Sequence, residues 1–168
     1  MFVKDRAEVV GCNNGKYSQF DYPSHQAMVD AEVEIMISAR ELYPYVPRIF
    51  EYDRKTQQIT MEKVEGEGLG EYIERTGHSL ILNKLREAVK QLRSKEVTLI
   101  HQGPDRHSRG YLCYYDYDES NFMVDAEENL WFIDWDISGV QPKEYLIHDD
   151  RAINDFIKDL LSGFETDL

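Results

Sequence analysis

Three polar side chains separated by short apolar runs constrain the fold of this chain more than any other feature of its sequence. Asp116 follows the apolar run 111–115, Asn121 comes five residues later, and Asp134 follows the apolar run 130–133. Short apolar runs between polar turns are typical of strands, so we expect these side chains beside the ends of short strands. A carboxylate at such a position can orient or deprotonate a hydroxyl group. An amide oxygen and a second carboxylate are hard oxygen ligands that suit magnesium.

The composition is that of a folded chain of modest size. With 168 residues it can form one domain, or two small lobes that share a core. Its residues are 42% hydrophobic and 12% aromatic, which is too apolar for a disordered chain although 30% are charged. The net charge of −13 argues against a broad contact with nucleic acid phosphates, so we expect no nucleic-acid partner.

The cysteine and hydropathy patterns predict a cytoplasmic protein. Cys12 and Cys113 have neither disulfide spacing nor the spacing of a metal-binding pair. The first residues lack the apolar stretch of a signal peptide, and no apolar run is long enough to span a bilayer. We therefore expect a reducing, cytoplasmic setting with no membrane partner.

The first part of the chain is predicted to contain strands and one helix. Ser24 is suited to cap a helix from His25 to Leu42, where apolar residues recur at helical spacing until Pro44. The segments 48–52 and 58–62 alternate apolar and polar residues around a polar turn, which predicts two paired strands.

The second part is predicted to be mainly helical, with a group of short strands and a polar loop over 101–110. Helices are expected over 69–75, 80–99 and 153–164, and strands over 111–115, 122–124 and 130–133. This order of elements predicts an α+β chain of two lobes. The small lobe would comprise residues 1–63, and the mainly helical lobe residues 64–168.

Two segments carry a resemblance to a known superfamily. The sequence Ile59-Thr-Met61-Glu62-Lys-Val64-Glu-Gly66, followed by Leu69-Gly-Glu-Tyr-Ile, resembles the strand, hinge and first large-lobe helix of protein-kinase-like folds. The acid–amide–acid spacing near the C-terminus is also that of kinases. The chain looks most like small atypical kinases and the aminoglycoside/choline phosphotransferase branch. The resemblance runs from about Glu32 to Gly139.

The resemblance implies a compact protein-kinase-like two-lobe fold with a reduced N-terminal lobe and a truncated C-terminal lobe. It implies an ATP- and magnesium-dependent phosphotransferase acting on a hydroxyl, with a protein serine or threonine slightly favoured over a small alcohol. The implied residues are Asp116 as the catalytic aspartate, Asn121 and Asp134 as magnesium ligands, Glu62 and Val64 on the adenine, Met61 as gatekeeper, and Glu32 as the helix glutamate.

The lysine that should bind phosphates and pair with Glu32 has two candidates. Lys4, in Phe2-Val3-Lys4, follows two apolar residues in a segment predicted to form a strand. Alternatively, the predicted hairpin around Gly11-Cys-Asn-Asn-Gly15 is a shortened glycine-rich loop, and Lys16 follows it. The chain departs from the family pattern at Tyr114, where histidine is usual, and at Trp135-Asp136, where Phe-Gly is usual.

Other interpretations of the same residues remain open. A catalytically inactive pseudokinase, acting as a binding or regulatory module with a protein partner, would share the fold. The segment 116–127 also has oxygen-bearing residues at positions 1, 3, 5 and 12 of a calcium-binding EF-hand loop, which would need a flanking helix on each side. Taken alone, the acidic loop could be an ordinary solvated loop, and Glu32 could form a surface salt bridge.

Overall fold

The structure is a computed structural model, which describes residues 1–6, 22, 24–77, 79–100 and 109–165, with side chains up to residue 163. Within these ranges the chain combines helices with small antiparallel sheets, which confirms the α+β class. The predicted hairpin, Cys12 and Lys16 lie outside the described residues.

The first sheet packs beside one long helix. The strands β1 (Phe2–Asp5), β2 (Ile49–Asp53) and β3 (Gln58–Met61) are antiparallel in the order β1-β3-β2, so β3 is central. Helix α1 (His25–Leu42) is capped as predicted by Ser24, whose hydroxyl accepts a hydrogen bond from the amide of Ala27. This arrangement brings Lys4 on β1 and Glu32 on α1 to the same side of the sheet.

The remaining elements are three helices and six short strands among the described residues. The helices are α2 (Leu69–Thr76), α3 (Ile81–Leu92) and α4 (Leu146–Glu165). The strands are β4 (Glu67–Gly68), β5 (Val97–Thr98), β6 (Arg109–Cys113), β7 (Phe122–Val124), β8 (Leu130–Phe132) and β9 (Gly139–Gln141). They form two further antiparallel sheets, ordered β4-β7-β8 and β5-β6-β9. Residues 114–121 connect β6 to β7, and residues 133–138 connect β8 to β9.

Several predicted boundaries are wrong. The helix expected over 80–99 ends at Leu92, because the β-branched residues Val97 and Thr98 pair with β6 instead. The last helix begins at Leu146 rather than at residue 153, after a single 3-10 turn. Strands β4, β5 and β9 were not predicted, since two or three residues carry too little periodicity to be recognised.

One hydrophobic core joins the two parts of the chain. Ile35 of α1, Ile59 of β3, Leu85 of α3 and Phe132 of β8 belong to the same buried cluster. A buried hydrogen bond also crosses it: the Tyr43 hydroxyl donates to the carbonyl of Leu130 over 2.6 Å. The side chains near β3 and β8 are therefore held by one packed interior.

No helix among the described residues is both long and apolar enough to cross a membrane.

Candidate active site

A cleft of about 370 Å³ lies between the first sheet and the loops beside β7 and β8. Its volume falls in the range of small-molecule sites in proteins. Its wall contains the sequence-predicted residues Lys4, Met61, Glu62, Val64, Asn121 and Asp134. The sequence did not single out the other lining residues, which are Phe2, Pro47, Lys63, Ser120, Met123 and Ile133.

The Lys4 ammonium links two carboxylates that are far apart in sequence. Its Nζ donates to Glu32 Oε1 over 2.6 Å and to Asp134 Oδ1 over 2.9 Å. Burial disfavours the charge on Lys4, but Glu32 and Asp134 outweigh this effect and raise its pKa. Lys4 therefore carries a firmly held positive charge at the wall of the cleft. Lys16 cannot be compared with it, because it lies outside the described residues.

Glu32 is a buried residue and not a surface one. Its side chain is 1% exposed, and its second oxygen, Oε2, accepts a hydrogen bond from Nε of Arg6 over 2.8 Å. Arg6 also faces Asp136, with 3.9 Å between Nη1 and Oδ2. The interpretation of Glu32 as part of a surface salt bridge is therefore wrong.

The two aspartates that follow β8 differ in their electrostatics. Burial opposes the charge on Asp134, but Lys4 outweighs it and lowers the pKa of this carboxyl. Burial, followed by the nearby charge of Asp134, raises the pKa of Asp136. Asp134, which is 38% exposed and lines the cleft, is thus the more readily ionised of the pair.

The segment after β3 presents its main chain to the cleft. The amide of Glu62 donates to the carbonyl of Arg48, and its carboxylate accepts from the Arg48 amide and from Arg40. These bonds hold the first residue of the segment. Two residues later, the amide and carbonyl of Val64 have no hydrogen-bond partner among the described residues. Main-chain groups left without internal partners at a cleft wall are suited to bind a planar heterocycle with ring nitrogens.

The loop that carries Asp116 has a fixed and unusual backbone. Tyr115, directly before it, has φ 66°, a left-handed conformation that costs a non-glycine residue free energy and that is concentrated at functional sites. The side-chain amide of Asn121 donates to the carbonyl of Asp116 over 3.1 Å. Asp116 itself is half-buried, does not line the cleft, and its carboxylate accepts no hydrogen bond from the described residues. The structure thus places Asp116 beside the cleft through its contact with Asn121.

Tyr114 and Trp135 belong to one buried cluster of aromatic rings. Tyr114 is fully buried, with its ring centroid 4.8 Å from that of Trp135 and 5.0 Å from that of Phe132. Trp135 donates its ring N–H to the carbonyl of Phe132 over 2.9 Å. Burial raises the pKa of Tyr114 well above its ordinary value, so its hydroxyl stays neutral. These rings support the loops before Asp116 and after Asp134.

A buried ion pair between Arg93 and Asp149 holds the Asp116 loop through Tyr117. Asp149, on the first turn of α4, is 1% exposed and pairs with Arg93 at the end of α3. Tyr117, one residue beyond Asp116, donates its hydroxyl to Asp149 Oδ2 over 2.9 Å. The sequence gives no local signal of this pair, because its two partners are 56 residues apart.

The oxygen donors near the cleft suit a hard divalent cation. The amide nitrogen of Asn121 is used by Asp116, and its side-chain oxygen has no hydrogen-bond partner among the described residues. Asn121 Oδ1 and the Asp134 carboxylate are the kinds of ligand that magnesium prefers. Within the described part of the chain, no group of three or more His, Cys, Asp or Glu side chains could hold a metal by itself. Any cation here would therefore share its coordination with a ligand or with water.

The structure does not support the interpretation of residues 116–127 as a calcium-binding EF-hand loop. Strand β6 precedes the segment 116–127, β7 lies within it, and β8 follows it, so neither flanking helix is present.

No protein-family model matches this chain, and a search among curated proteins returns no match.

Proposed function

We propose that the chain is a magnesium-dependent phosphotransferase with a protein-kinase-like arrangement of two lobes. It would bind ATP in the cleft and transfer the terminal phosphoryl group to a hydroxyl. The N-terminal lobe would comprise residues 1–63, and the C-terminal lobe residues 64–168.

The observation that carries this proposal is the position of Lys4. One ammonium contacts a helix carboxylate, Glu32, and a loop carboxylate, Asp134, at the wall of a cleft. Across the same cleft, Val64 offers main-chain groups without internal partners. A cation at one side and open main-chain groups at the other suit a molecule with an anionic end and a heterocyclic end.

The residues of the chain then have separate roles. Lys4, held by Glu32, would bind phosphate oxygens as a point charge. The carbonyl and amide of Val64, with Met61 and Met123 as apolar walls, would bind the base. Asn121 and Asp134 would hold magnesium, which when bound supplies positive charge where negative charge develops on the phosphates.

Asp116 would act on the acceptor. Its carboxylate has no partner among the described residues, so it is free to accept a hydrogen bond from a hydroxyl group and to take the proton during transfer. The bond from Asn121 to the Asp116 main chain fixes the distance between the acceptor site and the cation site. Positioning of this kind is the main contribution of a protein to phosphoryl transfer. The acceptor proposed is a protein serine or threonine.

Transfer of label from γ-phosphate-labelled ATP tests the proposal. Acceptors would be the chain itself, a panel of serine and threonine peptides, and small alcohols. We expect magnesium-dependent labelling that falls at least roughly a hundredfold in Asp116→Asn, while ATP binding is kept. Asp155→Asn, an exposed aspartate of α4, is the matched control and should retain labelling. Tight ATP binding by a wild-type chain that labels none of the acceptors would instead favour the pseudokinase alternative.

A further inference from the structure

Arg6 is a charged residue near the cleft to which the proposed chemistry assigns no role. It lies two residues after Lys4 and points to the same side of the first sheet, toward Glu32. Its side chain is 10% exposed. A buried guanidinium is costly to desolvate, so its partners indicate what it does.

The backbone of Arg6 is fixed from two directions. Its amide donates to the carbonyl of Gln57 over 3.0 Å, which extends the pairing of β1 with β3. Its carbonyl lies 2.5 Å from the ring Nε2 of His25, on the first turn of α1. Main-chain contacts alone therefore attach this arginine to the first sheet and to helix α1.

The side chain of Arg6 joins the helix to the loop after β8. Nε donates to Glu32 Oε2 over 2.8 Å, and Nη1 lies 3.9 Å from Asp136 Oδ2. Lys4 makes the parallel connection, from Glu32 Oε1 to Asp134. The buried carboxylate of Glu32 is thus held at both oxygens, by two cations that each reach a different aspartate of the same loop.

The charge balance explains why a second cation is needed. The cluster contains the three carboxylates of Glu32, Asp134 and Asp136 and the two cations of Lys4 and Arg6. Without Arg6, a single ammonium would face three acids. Lys4 would then be drawn more strongly to its own carboxylates, and an anionic phosphate would meet a more negative surface.

We propose that Arg6 is a positioning residue of the phosphate site. It fixes Glu32 and the segment 134–136, and so leaves Lys4 available to the phosphates of a nucleotide. This inference rests on the proposed function, since it concerns the same cleft. It assigns no contact between Arg6 and the nucleotide, so base binding should not depend on it.

The test compares two ligands and two arginines. Calorimetric dissociation constants are measured for ATP with magnesium and for adenosine, which lacks phosphates. In Arg6→Met, ATP should bind roughly tenfold more weakly while adenosine binds as in the wild type. Arg109→Met is the matched control, because Arg109 forms an exposed ion pair with Glu96 away from the cleft. It should leave both dissociation constants unchanged.

Two further variants separate positioning from general stability. Arg6→Lys keeps the charge next to Glu32 and should retain ATP affinity to within about threefold. Arg6→Gln loses the charge but keeps a donor, and it tests the inference if Arg6→Met does not fold. In Lys4→Met, adding Arg6→Met should cost little more ATP affinity, because Arg6 acts through Lys4.

The contact itself can be checked without any nucleotide. Thermal unfolding of the unliganded protein with Arg6→Met, Glu32→Gln and both changes should show non-additive losses of stability. Additive losses would contradict the pairing. Unchanged ATP affinity in Arg6→Met, or equal losses for ATP and adenosine, would overturn the inference while the proposed function stands. A wild-type chain that binds neither ligand would overturn both.

Discussion

Asn121 combines two jobs in a single amide group. Its nitrogen donates to the Asp116 carbonyl, and its oxygen has no partner among the described residues. A carboxylate at this position would offer oxygens but no donor, and a methyl group would offer neither. Substitutions here can therefore separate loop positioning from cation binding.

We predict different results for two changes at this residue. Asn121→Ala should weaken magnesium-dependent ATP binding by roughly tenfold or more, because it removes one of the two proposed magnesium ligands. Asn121→Asp should keep magnesium-dependent binding but lose phosphoryl transfer, because the Asp116 loop loses its hydrogen bond. ATP titrations over a range of magnesium concentrations, with labelling assays alongside, measure both. Equal magnesium dependence in Asn121→Ala and the wild type would argue against this residue as a ligand.

Sequence reasoning predicted those residues in or beside the cleft that are marked by short spacing in the sequence. Asp116, Asn121 and Asp134 lie beside strands that apolar runs made visible, and the linker near Val64 follows a recognisable strand. Arg6 could not be found in this way, because its partners Glu32 and Asp136 are distant in sequence and each is only one acid among many in this chain. Ion pairs between remote elements are set by packing, which leaves no periodic signal.

At the scale of elements, α1 is held at two neighbouring points. Glu32 is fixed at the cleft, and Asp30 is fixed on the far side by the turn between β2 and β3. Asp30 is 2% exposed and accepts hydrogen bonds from Arg54, Tyr52 and Gln26. Burial opposes the charge on this carboxyl, but these hydrogen bonds outweigh it and lower its pKa. The Asp30 contacts thus orient the helix that carries Glu32.

Asp30→Asn should make stability less dependent on acid pH. The lowered pKa means that the Asp30 carboxylate stabilises the fold above its unfolded pKa of about 4, and that this contribution is lost as the pH falls through the lower folded pKa. At pH 7 the free energy of unfolding should drop by about 1–3 kcal/mol. Urea unfolding from pH 7 to pH 3 should show the gap between the two proteins closing below about pH 4. A gap that stays constant over this range would contradict the assigned role.

The linker after β3, residues 62–66, passes very close to the main chain of β7 at Gly66. A Cβ atom on Gly66 would lie 2.3 Å from the carbonyl oxygen of Val124, which is backbone and cannot move aside easily. Only glycine fits at this point without a shift of residues 62–66. The linker can therefore take its position at the cleft because residue 66 has no side chain.

Gly66→Ala should lower the free energy of unfolding by about 1–3 kcal/mol and weaken the binding of both ATP and adenosine. Both ligands are affected because the linker, and not the phosphate site, is displaced. Gly163→Ala is the matched control, since a Cβ there meets no described atom within 4 Å. In helix α4 it should be neutral or stabilising by up to about 1 kcal/mol. If Gly66→Ala had the wild-type free energy of unfolding, the main chain near Gly66 and Val124 could shift to make room for a side chain, and the prediction would be wrong.

At the scale of the whole molecule, the described parts of the chain share a core, and a buried ion pair links the end of α3 to α4. Arg93 at the end of α3 contacts both Asp149 and Asp150 on α4. The side chain of Asp149 is 1% exposed, whereas that of Asp150 is 55% exposed. Burial raises the pKa of Asp149 despite its contacts with Arg93 and Tyr117. Since Tyr117 belongs to the Asp116 loop, this pair connects the fold of the C-terminal part to the candidate site.

Asp149→Ala should be strongly destabilising, by about 3–5 kcal/mol, because it leaves Arg93 largely buried without its main partner. Asp150→Ala removes the exposed partner of the same arginine and should cost less than about 1 kcal/mol. Equilibrium unfolding in urea, followed by tryptophan fluorescence and far-UV circular dichroism, measures both changes. Equal losses in the two variants would mean that burial does not distinguish these aspartates.

The α+β class and the longer helices could be predicted from periodicity, but the way the chain closes on itself could not. The hydrogen bond between the Tyr43 hydroxyl and the Leu130 carbonyl joins residues 87 positions apart, and Ile59 and Phe132, which share the core, are also distant in sequence. Such contacts depend on the shapes of many side chains together. The cleft is formed by this closure, because its lining residues come from two distant parts of the sequence, 2–64 and 120–134.

Calorimetric titration of the purified chain with ATP, with and without magnesium, tests the central claim most directly. The account predicts micromolar binding that requires magnesium, that weakens at least roughly tenfold in Asp134→Asn, and that is unchanged in Asp155→Asn. ATP binding that does not depend on magnesium and is equal in the wild type, Asp134→Asn and Asp155→Asn would contradict the assigned cation site. No detectable binding by the wild-type chain would contradict the claim that this cleft is a nucleotide site.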